Sequence, residues 1–138
     1  MKEKDFQVQF SKKNTLTGCF ELKFCKGTAL PFSALAEHQE QSLLDVSSTK
    51  GLFHKISDQP IFTASKTRFT KPKPFDCFFL REEKAYVVVM FWVPREKKVV
   101  YFIRIQDWIR ARNEVGRKSL TEEAAKQYAE VWENYLKI

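Results

Sequence analysis

Phe20-Glu21-Leu22-Lys23-Phe24 sets an acid and a base two residues apart inside an apolar, aromatic run. Side chains of a strand alternate faces with period two, so the run predicts a buried strand that carries a carboxylate and an ammonium on one face of a sheet. Opposite charges in such a segment are costly unless they pair, bind a metal or meet a ligand. The stretch is therefore both a fold element and a candidate site.

Working outward, Phe6, Val8 and Phe10 fit a strand as well as a helix, and helix is the reading taken for residues 5–11. Lys12-Lys13-Asn14 follows as a polar loop. After the Glu21 strand come a turn at Lys26-Gly27-Thr28 and a helix over 33–46, entered at Pro31-Phe32 with Ser33 as N-cap and closed by Lys50-Gly51. Leu52 to Ile56 alternates as a second strand, and Ser57 to Pro74, with three prolines and scattered cations, is a basic loop. Phe75 to Leu80 is a third strand and Glu82-Glu83-Lys84 a charged turn. Tyr86 to Trp92, apolar on both faces, is a fourth strand that belongs at the centre of a sheet. After a turn at Pro94 to Lys98, Val99 to Ile105 is a fifth strand.

Asp107 is a candidate cap for a helix carrying Trp108, Ile109 and Arg112. Ser119-Leu120-Thr121-Glu122 has the form of a capping box opening a C-terminal helix, along which Ala124, Ala125, Tyr128, Val131, Trp132 and Tyr135 recur at helical spacing. The expected fold is a mixed α/β domain over 1–138, a central sheet flanked by helices, without internal repeats or linkers.

With 43% hydrophobic residues, the 138-residue chain can bury one sizeable core. Lys and Arg outnumber Asp and Glu by 24 to 17, and the formal charge of +7 favours a polyanionic partner through steering and counterion release. Cys19, Cys25 and Cys77 are odd in number and lack a CxxC spacing, which argues against a disulfide framework and a tetrahedral zinc site and for a reducing cytoplasm. The N-terminus has no signal-peptide run, and no stretch reaches the length of a membrane span.

The residue chemistry points to phosphodiester hydrolysis. That reaction needs a divalent metal to activate water and neutralise developing charge, and hard oxygen ligands suit Mg²⁺ (or Mn²⁺). Glu21 is a candidate ligand, and Lys23 a candidate to orient the nucleophile or stabilise the charged transition state. A second carboxylate is required, and Asp76, set among apolar neighbours, is the leading candidate. Set against this, ExK is a common tripeptide, and an exposed strand ion pair is the bland alternative.

In order along the chain, Phe20-Glu21-Leu22-Lys23, Leu30-Pro31-Phe32-Ser33-Ala34, Glu37-His38-Gln39, Lys55-Ile56-Ser57-Asp58, Lys73-Pro74-Phe75-Asp76-Cys77-Phe78 and Ala85-Tyr86-Val87-Val88-Val89 resemble Holliday-junction resolvases of the RecU type, in the phage-borne branch of the PD-(D/E)XK nuclease superfamily. The resemblance covers about residues 5 to 130. It implies a restriction-endonuclease-like fold, a homodimer, four-way or branched DNA as partner, and a bacterial or phage-infected cell as setting. It also implies that Glu21 and Lys23 are the family's E-x-K and that Gln39 is the helix glutamine near the metal. The chain departs from the family upstream, because Val8 to Asn14 lacks the usual metal-binding Asp. Asp76, in a Pro74-Phe75-Asp76 setting that looks like the motif's PD, is taken as its replacement, with Glu3, Asp5 or Asp58 as other candidates for the acidic site.

Candidate DNA contacts are Lys12, Lys13, Lys26, Lys66, Arg68, Lys71 and Lys73. Arg110, Arg112, Arg117 and Lys118 form a second basic cluster for which solvation is an equal reading. His38 and His54 lack metal-ligand spacing. Trp92, Trp108 and Trp132 read as core before they read as base-stacking platforms. The expected activity is Mg-dependent, structure-selective DNA cleavage, Holliday-junction resolution foremost. A nuclease acting on other ends or forks, and a catalytically inactive basic DNA-binding protein, are the alternatives.

Overall fold

The computed structural model describes residues 1–55 and 77–137. Its centre is strand β5 (Ala85–Phe91), whose seven residues are all buried. It pairs in parallel with β1 (Cys19–Cys25) on one side and antiparallel with β6 (Val99–Arg104) on the other. β8 (Glu130–Glu133) and β9 (Leu136–Lys137) extend this mixed sheet, giving the order β1-β5-β6-β8-β9. A continuously apolar run such as Tyr86-Val87-Val88-Val89-Met90 requires cover on both faces, and it has it.

One face is covered by α1 (Glu3–Lys13). Phe6 and Phe10, one helical turn apart, pack on Phe20, Leu22 and Phe24 of β1 and on Tyr86, Val88, Val100 and Phe102. The other face carries α2 (Glu37–Ser47), α3 (Ile105–Val115) and α4 (Glu122–Tyr128), with Leu43, Trp108, Ala111 and Ala125 against Val87, Val89, Tyr101 and Ile103. Two ribbons complete the fold: β2 (Ala29–Pro31) with β7 (Ser119–Thr121), and β3 (Leu52–Lys55) with β4 (Cys77–Leu80). The chain is thus a mixed α/β domain with four α-helices among the described residues, none long and apolar enough to cross a membrane.

Several sequence expectations require correction. β1 is not a buried strand: it is the edge of the five-stranded sheet among the described residues, and all seven of its residues are partly exposed. Lys12 and Lys13 belong to the last turn of α1, not to a loop, where cations suit the negative end of the helix dipole. Ser33 is not an N-cap. Residues Phe32–Ala34 form a separate 3₁₀ turn, because Pro31 is held in β2 opposite Ser119 and Leu35 and Ala36 are extended, so α2 starts only after Ala36.

Asp107 does not cap α3. Arg104 is the N-cap, and Asp107 lies in the first turn paired to Arg110 at 3.1 Å. The Ser119 box also fails, because Ser119 to Thr121 is used as β7, and Thr121 caps α4 by accepting the Ala124 N–H at 3.1 Å. α4 ends at Tyr128. Val131 and Trp132 then point to opposite faces of a strand, and Asn134 and Tyr135, with φ of 47° and 66°, form the two-residue loop between β8 and β9. Positive φ at both loop positions is the type I′ pattern that matches strand twist, and a helical reading of Tyr135 cannot survive it.

Candidate active site

Alternation along β1 does what the sequence implied. Phe20, Leu22 and Phe24 face α1, whereas Glu21 and Lys23, in register with Val87 and Val89, face the α2 side. The Lys23 Nζ lies 3.1 Å from Glu21 Oε1. Gln39, in the first turn of α2, reaches both: its Nε2 donates to Glu21 Oε1 at 2.9 Å, and its Oε1 accepts from Lys23 Nζ at 3.1 Å. The three residues that the resemblance grouped are therefore one hydrogen-bonded cluster.

Gln39 is itself fixed from below. Its Oε1 also accepts the backbone N–H of Ala36 at 3.0 Å, which satisfies one of the orphan donors at the start of α2. Alanine has no side-chain acceptor, so only this half of a capping box exists. The amide orientation follows from chemistry alone: the oxygen meets an N–H and an ammonium, and the NH₂ meets a carboxylate. Glu40, the next residue, accepts both Arg112 guanidinium nitrogens at 2.9 Å, tying α2 to α3. These contacts hold the Arg112 guanidinium above its ordinary pKa, the hydrogen bonds to Glu40 being the leading cause. An open groove of about 600 Å³ lies beside this clamp, lined by Phe32, Leu35, Glu37, Glu40, Leu44 and Arg112.

Because the cluster sits on an edge strand, its charges are not stranded in the core. The Lys23 and Glu21 side chains are 15% and 30% exposed, enough for a ligand to reach them while the pair remains shielded from bulk water. Glu21 Oε1 takes both contacts within the cluster, which leaves Oε2 without a hydrogen bond among the described residues. A carboxylate oxygen so placed fits one position of a hard cation. It does not make a complete site, since no group of three His, Cys, Asp or Glu side chains converges among the described residues. Cys19 shares the Glu21 face, but burial, and secondarily the charge of Glu83, push its thiol up, so it is not an activated nucleophile.

The other candidates divide into three groups. Asp58, Asp76, Lys66, Arg68, Lys71 and Lys73 lie outside the described residues. Glu3 and Asp5 belong to α1, on the face of the sheet opposite Glu21, and Asp5 Oδ2 accepts the Lys2 N–H at 2.8 Å as a cap. Lys12 and Lys13 are also on that helix, with the Lys13 ammonium 5.7 Å from the Tyr135 ring centre. Lys26 directly follows β1 and lies 5.9 Å from the Trp92 ring centre. The structure thus assembles Glu21, Lys23 and Gln39 and does not bring Glu3, Asp5, Lys12 or Lys13 to them.

Sequence reasoning missed the Glu40–Arg112 clamp, and no local signal could have revealed a contact spanning 72 residues. The capping role of Gln39 was legible as a glutamine three residues after a helix entry, had that entry been placed at Ala36. No protein-family model, curated protein or solved structure matches the chain.

Proposed function

We propose that this protein is a metal-dependent, structure-selective DNA endonuclease of restriction-endonuclease-like fold, with Holliday-junction resolution as its activity. The observation that carries the reading is the Glu21–Lys23–Gln39 cluster, an E-x-K pair on an edge strand locked by a glutamine from the following helix. Glu21, whose side chain is 30% exposed and whose Oε2 has no hydrogen bond among the described residues, is the cation ligand. A bound Mg²⁺ or Mn²⁺ supplies Lewis-acid stabilisation and lowers the pKa of a coordinated water. Lys23 offers its remaining N–H donor to a non-bridging phosphate oxygen, an electrostatic contribution that needs no reorganisation because Gln39 already holds the ammonium. Gln39 orients both groups. The second acid comes from Asp76 or Asp58.

The net charge of +7 supports a polyanionic substrate. Resolution of a four-way junction requires two symmetric nicks, for which a homodimer with an isologous interface is the economical arrangement. The test is cleavage of labelled four-way junctions beside matched linear duplex, with Mg²⁺, with Mn²⁺ and with chelator. Metal-dependent paired nicks in the junction are expected. Equal cutting of duplex would move the substrate to other ends or forks, and metal-independent binding without any cleavage would favour an inactive DNA-binding protein.

A further inference from the structure

We infer that the turn between β5 and β6, together with Lys26, forms a DNA-backbone contact surface at the C-terminal end of β1, with Arg95 as its central phosphate contact. This rests on the nuclease reading of Glu21, in which Lys26 is already a candidate DNA contact, and extends it to Arg95 and the β5–β6 turn, which that reading does not use. Val93-Pro94-Arg95-Glu96 is closed by a hydrogen bond from the Glu96 N–H to the Val93 carbonyl at 3.3 Å. Arg95, at the third position, has φ of 67°. Proline at the second position with positive φ at the third is the type II pattern, in which the third residue is ordinarily Gly or Asn. An arginine there is held in a conformation that disfavours a side chain, and such strain is retained where the side chain serves a function.

The surroundings are those of a cationic contact surface. Trp92 is tied to β1 by its N–H, which donates to the Cys25 carbonyl at 2.7 Å. Its ring packs on Phe24 and carries the Lys26 ammonium 5.9 Å from its centre, so an exposed cation is stationed on a rigid aromatic base. Lys97 and Lys98 are already engaged, by Glu133 at 2.8 Å and by Gln9 at 3.1 Å. Arg95 and Lys26 form no ion pair with any described residue. Both are exposed, and Val93, two residues before Arg95, is 37% exposed.

Lys26 lies three residues past Lys23, roughly 10 Å along an extended chain, or about three nucleotides of a B-form strand at about 3.4 Å of axis each. Lys23 faces the α2 side and the Lys26–Trp92 pair the α1 side of the same sheet edge, so DNA laid against that edge meets both. The parallel pair β1–β5 ends here, and ligands of open α/β sheets gather beyond the carboxyl ends of such strands.

Arg95→Gly tests the assignment because strain and contact move in opposite directions. The variant is expected to keep or raise its melting temperature, by up to about 4 °C. Its DNA affinity should fall about eightfold at 0.1 M salt, and the slope of log affinity against log salt should flatten by about 0.9, the effect of one lost phosphate contact. Lys26→Ala should add a second, similar decrement, whereas Lys126→Ala on α4 should change neither quantity. Wild-type affinity and slope in Arg95→Gly, or an equal loss in Lys126→Ala, would overturn the inference while leaving the nuclease reading intact. No DNA binding by the wild-type protein would overturn both.

Discussion

β1 and β5 lie side by side in parallel register, Glu21 opposite Val87 and Lys23 opposite Val89, yet they obey different rules. β5 is enclosed by strands on both sides and helices on both faces, and its seven residues are apolar apart from the tip of one tyrosine. β1 has a strand on one side only among the described residues, and its α2-facing positions carry two charges. The contrast locates the candidate chemistry physically. An edge strand can hold a carboxylate and an ammonium because water and a glutamine share the work of solvating them. A strand one position inward would have to desolvate both.

The sharpest way to break the comparison is to move a charge inward. Val87→Asp places an unpaired carboxylate at a position with 0% exposure, and a loss of about 4–5 kcal/mol or more is expected, enough to prevent folding of a marginal domain. Far-ultraviolet circular dichroism and denaturant melts would show it. A folded, cooperative Val87→Asp protein would mean that the sheet centre is not the dry layer described.

Glu21→Gln should behave in the opposite way. Its fold should persist with little change in melting temperature, while cleavage falls at least about a hundredfold and DNA affinity is kept or improved, since a negative charge has gone. Near-normal turnover would remove Glu21 from the site.

A smaller effect is expected where the edge meets its helix. Gln39→Ala removes the bonds to Glu21 and Lys23 and the cap on Ala36 together, for a cost of about 1–2 kcal/mol. Urea melts would measure it. A loss no greater than a few tenths would show that the cluster stabilises nothing and that Gln39 is held by other means.

The smallest effect concerns a polar tip in the α1-side core. Burial pushes the Tyr135 phenol up to about 12, and its hydroxyl has no hydrogen-bond partner among the described residues. Below about pH 10 the phenol is neutral in both folded and unfolded chains, so Tyr135→Phe should change stability little at neutral pH. Between about pH 10 and 12 the unfolded chain ionises first, and stability should fall as pH rises. In Tyr135→Phe that alkaline decline should be shallower, which melts across the range would detect. An identical decline would mean that Tyr135 titrates normally.

The alternation of Phe20-Glu21-Leu22-Lys23-Phe24 was enough to put both charges on one face, and the unbroken apolar run of β5 was enough to place that strand at the centre. Both follow from strand geometry and water alone. The ends of elements were less legible. Ser33, Asp107 and Ser119 each look like a cap, but Pro31 and Ser119 are committed to a strand ribbon and Arg104 runs straight from β6 into α3. The C-terminal segment failed for a similar reason: Ala125, Tyr128, Trp132 and Tyr135 satisfy a helical period, yet pairing of Glu130–Glu133 with β6 outcompetes it.

What this sequence determined by itself is therefore the set of local choices in which burial and period agree: the apolar runs of β5 and β6, the facing of Glu21 and Lys23, and the excess of positive charge. What only the tertiary structure decided is which strand lies at the edge, that Glu21 and Lys23 meet Gln39, that Glu40 and Arg112 clamp two helices, and that Lys26 rests on Trp92. These are contacts between residues distant in the chain. Their free energy depends on how the layers close over one another, and a linear pattern contains no term for that.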